Sequence, residues 1–132
     1  MYDVSVGTFS RETLDPLWVT GFADAAGSFT YSRSSKQLAL YFSVKVADTD
    51  RGLLEDLQAF FDAGRIYDPA YFRVTRREEL VRVVDHFDRY PLRSSKREVY
   101  ELWREMVIAK QEFRRPDREL LDRLADEISR RR

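Results

Sequence analysis

A chain of 132 residues and 15.7 kDa, 43% of it hydrophobic, can build one hydrophobic core and little more. It has no cysteine, which excludes a disulfide framework and any thiolate metal site and suits a reducing intracellular compartment, whether cytoplasm, nucleoid or organelle. Twenty-three basic residues balance twenty-three acidic ones, so binding to a polyanion would have to come from the arrangement of charge, not from its sum.

Residues 1–13 read as an N-terminal extension with neither the basic start nor the apolar block of an export signal. Nowhere does an apolar run approach the ~20 residues of a bilayer span, so no membrane partner is expected. Asp15-Pro16 is a helix start, a side-chain acceptor followed by a residue that needs no donor. That helix should run to Ala26, with Gly27 taking the left-handed turn that ends it. Gly21 and Ala25, four apart, share one face and would let a second helix approach almost backbone to backbone.

A hairpin should follow, with strands over about 28–34 and 37–46. Phe29 and Tyr31 in the first strand, and Leu38, Leu40, Phe42, Val44 and Val46 in the second, alternate with polar residues and so mark one face. A second helix spans roughly Thr49 to Asp62 on Leu53, Leu54, Leu57, Phe60 and Phe61, closed by Gly64. Two short strands, about 65–68 and 71–75, flank a turn at Asp68-Pro69, with Ile66, Phe72 and Val74 inward. Thr75 to Glu78 and Ser95 to Glu98 have the spacing of capping boxes, opening helices with stripes at Leu80, Val83, Val84, Phe87 and at Val99, Leu102, Trp103, Met106, Val107. Pro116-Asp117 opens a last helix on Leu120, Leu121, Leu124 and Ile128. This order predicts an α+β domain with one four-stranded sheet and helices over one side.

The other side of that sheet would carry Thr30, Ser32, Ser34, Tyr41, Ser43, Lys45, Tyr67, Tyr71 and Arg73. Hydroxyls, aromatics and two cations without a carboxylate fit either a solvated surface or a nucleic-acid platform, since a β-ribbon enters the major groove. His86, the single histidine, is expected to pack at its helix end. Trp18 and Trp103 are expected in the core or at an interface, and Arg130 to Arg132 as a frayed charged end.

The run Val19-Thr20-Gly21-Phe22-Ala23-Asp24-Ala25-Ala26-Gly27 closely resembles the signature of the LAGLIDADG homing endonucleases. The likeness extends over roughly Leu14 to Lys110. It includes the helix from Asp50-Arg51-Gly52 to Phe60-Phe61, the stretches Gly64-Arg65-Ile66-Tyr67 and Tyr71-Phe72-Arg73-Val74, and His86-Phe87-Asp88-Arg89-Tyr90-Pro91-Leu92 followed by Lys96. It implies an αββαββα domain over 14–113, with a four-stranded antiparallel saddle sheet, and a C-terminal helix over 114–132. One motif implies a homodimer joined through Trp18, Gly21, Phe22 and Ala25 on a pseudo-palindromic duplex DNA target. DNA contacts would come from the outer-face residues above together with Lys36 and Thr75.

In this family the residue before the motif's last glycine is the acid that holds a catalytic metal, Mg²⁺ by resemblance. Here it is Ala26, whose methyl group ligates nothing, whereas Mg²⁺ takes hard oxygen ligands. The backbone carbonyl of Ala25 remains a weak candidate ligand, as does the Asp24 carboxylate. Lys96 matches a family position that stabilises phosphate charge beside the cleavage centre. The expectation is therefore a DNA-binding protein resembling Mg²⁺-dependent endonucleases, with cleavage lost. An enzyme disabled by substitution, a natural non-cleaving regulator or intron-RNA maturase, cleavage through other acids, and a dimerisation domain without nucleic acid are the alternatives.

Overall fold

The computed structural model describes residues 13–113 and 115–132. The expected extension therefore lies outside the described residues apart from Thr13. Helix α1 (Pro16–Ala26) begins where the chain supplies its own cap: the Asp15 carboxylate accepts Leu17 N–H at 2.8 Å and Trp18 N–H at 3.3 Å. Its end differs from expectation. Gly27 is extended (φ −82°, ψ 160°) rather than left-handed, because the chain passes straight into strand β1 (Gly27–Arg33). Glycine is needed there for space: a Cβ would stand 3.0 Å from the Ala23 carbonyl oxygen and 3.1 Å from the Phe42 ring.

Strand β1 pairs antiparallel with β2 (Leu38–Lys45), from Gly27 opposite Val44 to Arg33 opposite Leu38. Ser34 closes the intervening turn. Its N–H donates to the Gln37 carbonyl at 2.7 Å, and its hydroxyl accepts Gln37 N–H at 3.1 Å. A 3-10 turn (Asp48–Asp50) leads into α2 (Arg51–Phe61). The left-handed residue closing α2 is Asp62 (φ 52°), not Gly64. Gly64, at φ 90°, instead turns the chain into β3 (Arg65–Tyr67) over the Phe72 ring, which a Cβ would meet at 2.5 Å. After a cis Asp68–Pro69 bond, β4 (Tyr71–Val74) completes a four-stranded antiparallel sheet in the order β1-β2-β4-β3.

Neither expected capping box forms. Helix α3 (Arg77–Arg89) is preceded by Arg76 with no side-chain cap, so Thr75 lies one residue too early to reach the first turn. Glu78 pairs with Arg76 at 3.0 Å instead. At α4 (Lys96–Glu112), Ser95 is already helical (φ −59°, ψ −17°) and makes no cap bond. Ser94 takes that role, its hydroxyl accepting Lys96 N–H at 3.1 Å. Helix α5 (Arg118–Arg131) is capped as expected by Asp117, which accepts Glu119 N–H at 3.0 Å.

The helices share one side of the sheet. Phe29 lies at the centre, with the rings of Phe42, Phe87, Tyr100 and Trp103 at 5.0–5.2 Å. Leu54, Leu57, Phe72, Met106 and Ile128 are fully buried around this cluster, each such side chain worth about 1.5–3 kcal/mol of transfer free energy. Leu121, Leu124, Ala125 and Ile128 bring α5 into the same core. Trp103 is wholly buried and its Nε1–H donates to the Thr30 carbonyl at 3.0 Å. Arg130 to Arg132 are not frayed: α5 continues through Arg131, and Arg132 donates to the Thr30 hydroxyl at 2.8 Å.

His86 packs among Phe60, Phe61, Phe87 and Tyr90, and burial pulls its pKa down to about 4. The Thr20 hydroxyl donates to the Tyr90 carbonyl at 2.8 Å, so at 3.0 Å it accepts from His86 Nε2, which fixes the neutral Nε2–H tautomer.

Candidate nucleic-acid interface

The register lays out the face of the sheet away from the helices. Ser28, Ser43, Arg73 and Arg65 form one row across all four strands. Lys45, Tyr71 and Tyr67 form the next, and Thr30 lies opposite Tyr41. None of the four strands contains an aspartate or glutamate, although they hold Arg33, Lys45, Arg65 and Arg73. A chain of zero net charge thus keeps carboxylates out of its strands; Arg33 pairs with Asp122 and Asp126 of α5, and Lys45, Arg65 and Arg73 give the outer face a local positive field.

Arg73 is the organised centre of this face. Its guanidinium stacks on the Tyr41 ring at 4.2 Å and the Tyr71 ring at 5.0 Å, and one terminal nitrogen donates to the Tyr71 hydroxyl at 2.9 Å. Burial would raise the Tyr71 hydroxyl's pKa, but bonding to Arg73 and Ser43 and the charges of Arg73 and Lys45 bring it below the ordinary value. The Arg73 Nε is buried with no hydrogen-bond partner among the described residues. The guanidinium is thus clamped by two rings on the outer face, with this one buried donor left unmatched among the described residues.

The other expected contact residues differ in exposure. Ser32, Lys45 and Tyr67 are exposed; Thr30, Tyr41 and Tyr71 are half-buried; Ser43 is buried beneath Arg73 and Tyr71. Lys36 and Thr75 are exposed at the strand ends, whereas Ser34 is occupied in its turn. Ser28 and Arg65 were not expected on this face. Counting back two residues from Thr30 and from Tyr67 would have found both.

Below α1 the motif's last turn is tied to the start of α4. Asp24 accepts Arg93 N–H at 2.8 Å, Ser94 N–H at 3.1 Å and the Ser94 hydroxyl at 2.6 Å. Burial opposes ionisation of Asp24, yet these bonds and the nearby Lys96 charge hold its carboxyl below the usual range. Lys96 Nζ donates to the Ala23 carbonyl at 3.0 Å and the Gly27 carbonyl at 2.5 Å. Burial lowers its pKa, an effect the Asp24 charge partly offsets. Ala26 is half-exposed beside them and adds no ligating atom.

The residues at this corner do not fit a divalent metal. Position 26 offers a methyl group, the Asp24 carboxylate serves three hydrogen bonds, and the end-of-helix carbonyls face an ammonium group. Among the described residues, no three His, Cys, Asp or Glu side chains gather where they could hold an ion.

The exposed face of α1 is apolar. Leu17 and Trp18 are 69% and 46% exposed, Trp18 stacks on Phe22 at 5.2 Å, and Gly21 and Ala25 are open to solvent. A Cβ at Gly21 would meet nothing within 4 Å. Nothing within the protomer therefore requires glycine there, where it costs about 1 kcal/mol of helix propensity relative to alanine.

Comparison with known proteins agrees with this architecture. A profile of the LAGLIDADG endonuclease family matches residues 19–107, and the chain belongs to that family. An uncharacterised 50.9 kDa protein encoded in ND4 intron 1 of Podospora anserina is 32% identical over a 114-residue alignment that covers 76% of this chain and 25% of that protein. The LAGLIDADG meganuclease I-AabMI, solved on uncleaved DNA, superposes with a TM-score of 0.77 at 27% identity over 84% of this chain and 42% of its own. The homing endonuclease I-TnaI shares the fold, with a TM-score of 0.77 at 24% identity over 89% of this chain and 94% of its own. The chain thus spans a quarter of the fungal protein and less than half of the first meganuclease. Among the described residues no helix is long and apolar enough to cross a membrane.

Proposed function

We propose that the chain is a homodimeric, sequence-specific duplex-DNA-binding protein in which the family's metal-dependent cleavage is lost. The observation carrying this reading is the carboxylate-free sheet face centred on Arg73, in a family whose solved members include DNA complexes. The ribbon enters the major groove; Arg73, Ser28, Thr30 and Ser32 face base edges, and Lys45, Arg65 and Lys36 face phosphates. Gly21 and Ala25 let a second α1 approach closely, while Trp18 and Phe22 fill the rim. Two such units double the footprint on a pseudo-palindromic site. With no carboxylate at Ala26, neither hard ligand nor general base is at hand, and the reaction stops at binding.

Selection from a randomised duplex pool tests this reading. A pseudo-palindromic consensus should emerge, and the double variant Lys45→Glu with Arg73→Glu should lose at least about tenfold in affinity, with steep salt dependence. The intact chain should leave the selected duplex uncut in Mg²⁺, whereas Ala26→Asp or Ala26→Glu should nick or cut it. Enrichment of structured RNA alone would instead favour the maturase, and no loss with the double variant would favour a scaffolding role.

A further inference from the structure

We propose that Lys110 and Arg77 hold a backbone phosphate of duplex DNA at the end of the sheet farther from α1, in a cleft between β2, α3 and α4. The proposal rests on the DNA-binding reading above and adds to it a contact made from the helical layer. The cleft, of about 210 Å³, lies where the strands differ in length. β4 ends at Val74, opposite Phe42, whereas β2 continues through residues 38–41 with no β4 partner. Gln37, Ala39 and Thr75 continue the outward alternation of these strands, so the mouth opens at the rim of the DNA-facing side. The buried side chains of Leu40, Leu80 and Val107 close it below.

Two cations line the cleft, and backbone carbonyls rather than carboxylates hold them there. Lys110 Nζ donates to the Leu38 carbonyl and keeps two further N–H donors. A terminal nitrogen of Arg77 donates to the Gln111 carbonyl at 2.7 Å, and the Gln111 side-chain amide donates back to the Arg77 carbonyl at 2.6 Å. Carboxylates on the neighbouring helices are engaged elsewhere: Asp122 with Arg33 and Arg118, Glu78 with Arg76, and Glu79 with the Gly64 N–H. Glu112, at the end of α4, does not line the cleft. Lys110 is half-buried, and burial together with the charges of Arg77 and Arg118 draws its pKa below the ordinary value. Two like charges thus share a partly buried opening without a counter-charge among the described residues, and an anion from outside relieves their repulsion.

The position selects the anion. The seven residues of β1 span about 23 Å at ~3.3 Å each, the length of about 7 base pairs at ~3.4 Å. A duplex laid along the ribbon from α1 therefore leaves the sheet at this cleft, where Lys36 is also exposed. A phosphodiester oxygen pair there suits one ammonium and one guanidinium, each already held in place.

Fluorescence anisotropy on the selected duplex, with flanking DNA on both sides, tests the site. Arg77→Gln with Lys110→Gln should weaken binding about tenfold and reduce the salt slope by about 0.9 for each chain bound, as expected for one phosphate. Arg77→Lys with Lys110→Arg, which keeps both charges, should retain the slope. Arg123→Gln with Arg130→Gln, which removes two charges from the groove between α4 and α5, should change affinity less than about twofold. Neutral methylphosphonates at the outer end of each half-site should weaken binding by the intact chain and add little to the loss in Arg77→Gln with Lys110→Gln. Equal behaviour of the two glutamine pairs, a lowered slope in the charge-keeping variant, or the same methylphosphonate penalty with and without Arg77 and Lys110 would each overturn the site. If Lys45→Glu with Arg73→Glu still loses affinity, the sheet reading survives that failure; a chain that binds no duplex at all sinks both.

Discussion

At the scale of single residues, His86 shows how burial converts a titratable group into a conditional one. Its folded pKa of about 4 lies below the unfolded value near 6.5, so the unfolded chain takes up the proton first as pH falls. The associated stability is complete above about pH 6.5 and is lost progressively toward pH 4. We expect a decrease on the order of 2 kcal/mol between pH 7 and 4.5, read from urea midpoints, and a smaller decrease in His86→Gln over the same range. A parallel pH dependence in the two proteins would remove His86 from the explanation. Gly27 makes a second residue-scale prediction. Gly27→Ala should cost about 1–3 kcal/mol in chemical denaturation, because the contacts at 3.0 and 3.1 Å are with backbone and a buried ring that cannot yield.

At the scale of elements, the start of α4 separates pattern from geometry. The Ser-x-x-Glu spacing points to Ser95, yet the hydroxyl that accepts Lys96 N–H and also donates to Asp24 belongs to Ser94. Ser94→Ala should therefore lower stability by about 1 kcal/mol while Ser95→Ala stays within about 0.5 kcal/mol, and the reverse order in thermal melts would refute the assignment. The faces of the strands and the buried stripes of the helices were legible because alternation and the 3.6-residue period are written into residues such as Phe29, Phe42, Leu57 and Phe87. The caps were less so: a one-residue shift leaves the spacing plausible while moving the hydroxyl out of reach. Helix ends were misread for a related reason, since Gly27 and Gly64 serve close approach and a turn into β3, not the left-handed closure their identity suggests. Long-range partners were the least legible. Nothing in the local pattern of Arg132 announces that it reaches Thr30, although an inward Tyr31 on an edge strand called for some element to cover it.

For the molecule as a whole, the question is what meets the bare face of α1. Gly21 and Ala25 supply closeness, and Leu17, Trp18 and Phe22 supply apolar area that a monomer would leave in water. Gly21→Leu should yield a monomer by light scattering that still unfolds cooperatively, because nothing lies within 4 Å of its Cβ, and whose melting temperature no longer rises with protein concentration. A variant that remains dimeric would exclude this helix as the joint. The chain covers 94% of I-TnaI but 42% of I-AabMI, so the same fold occurs in chains of different length.

The indole of Trp103 on the Thr30 carbonyl has a bearing on how copies of this chain can and cannot meet. Together with Lys96 on the Gly27 carbonyl and Arg118 on that of Ser34, it occupies three acceptors on and beside β1, one of the two edges of the sheet. An extended peptide therefore finds fewer open rungs along β1 than a bare edge strand would offer. A second copy meeting the chain at the bare face of α1 would leave each sheet platform a separate, bounded surface.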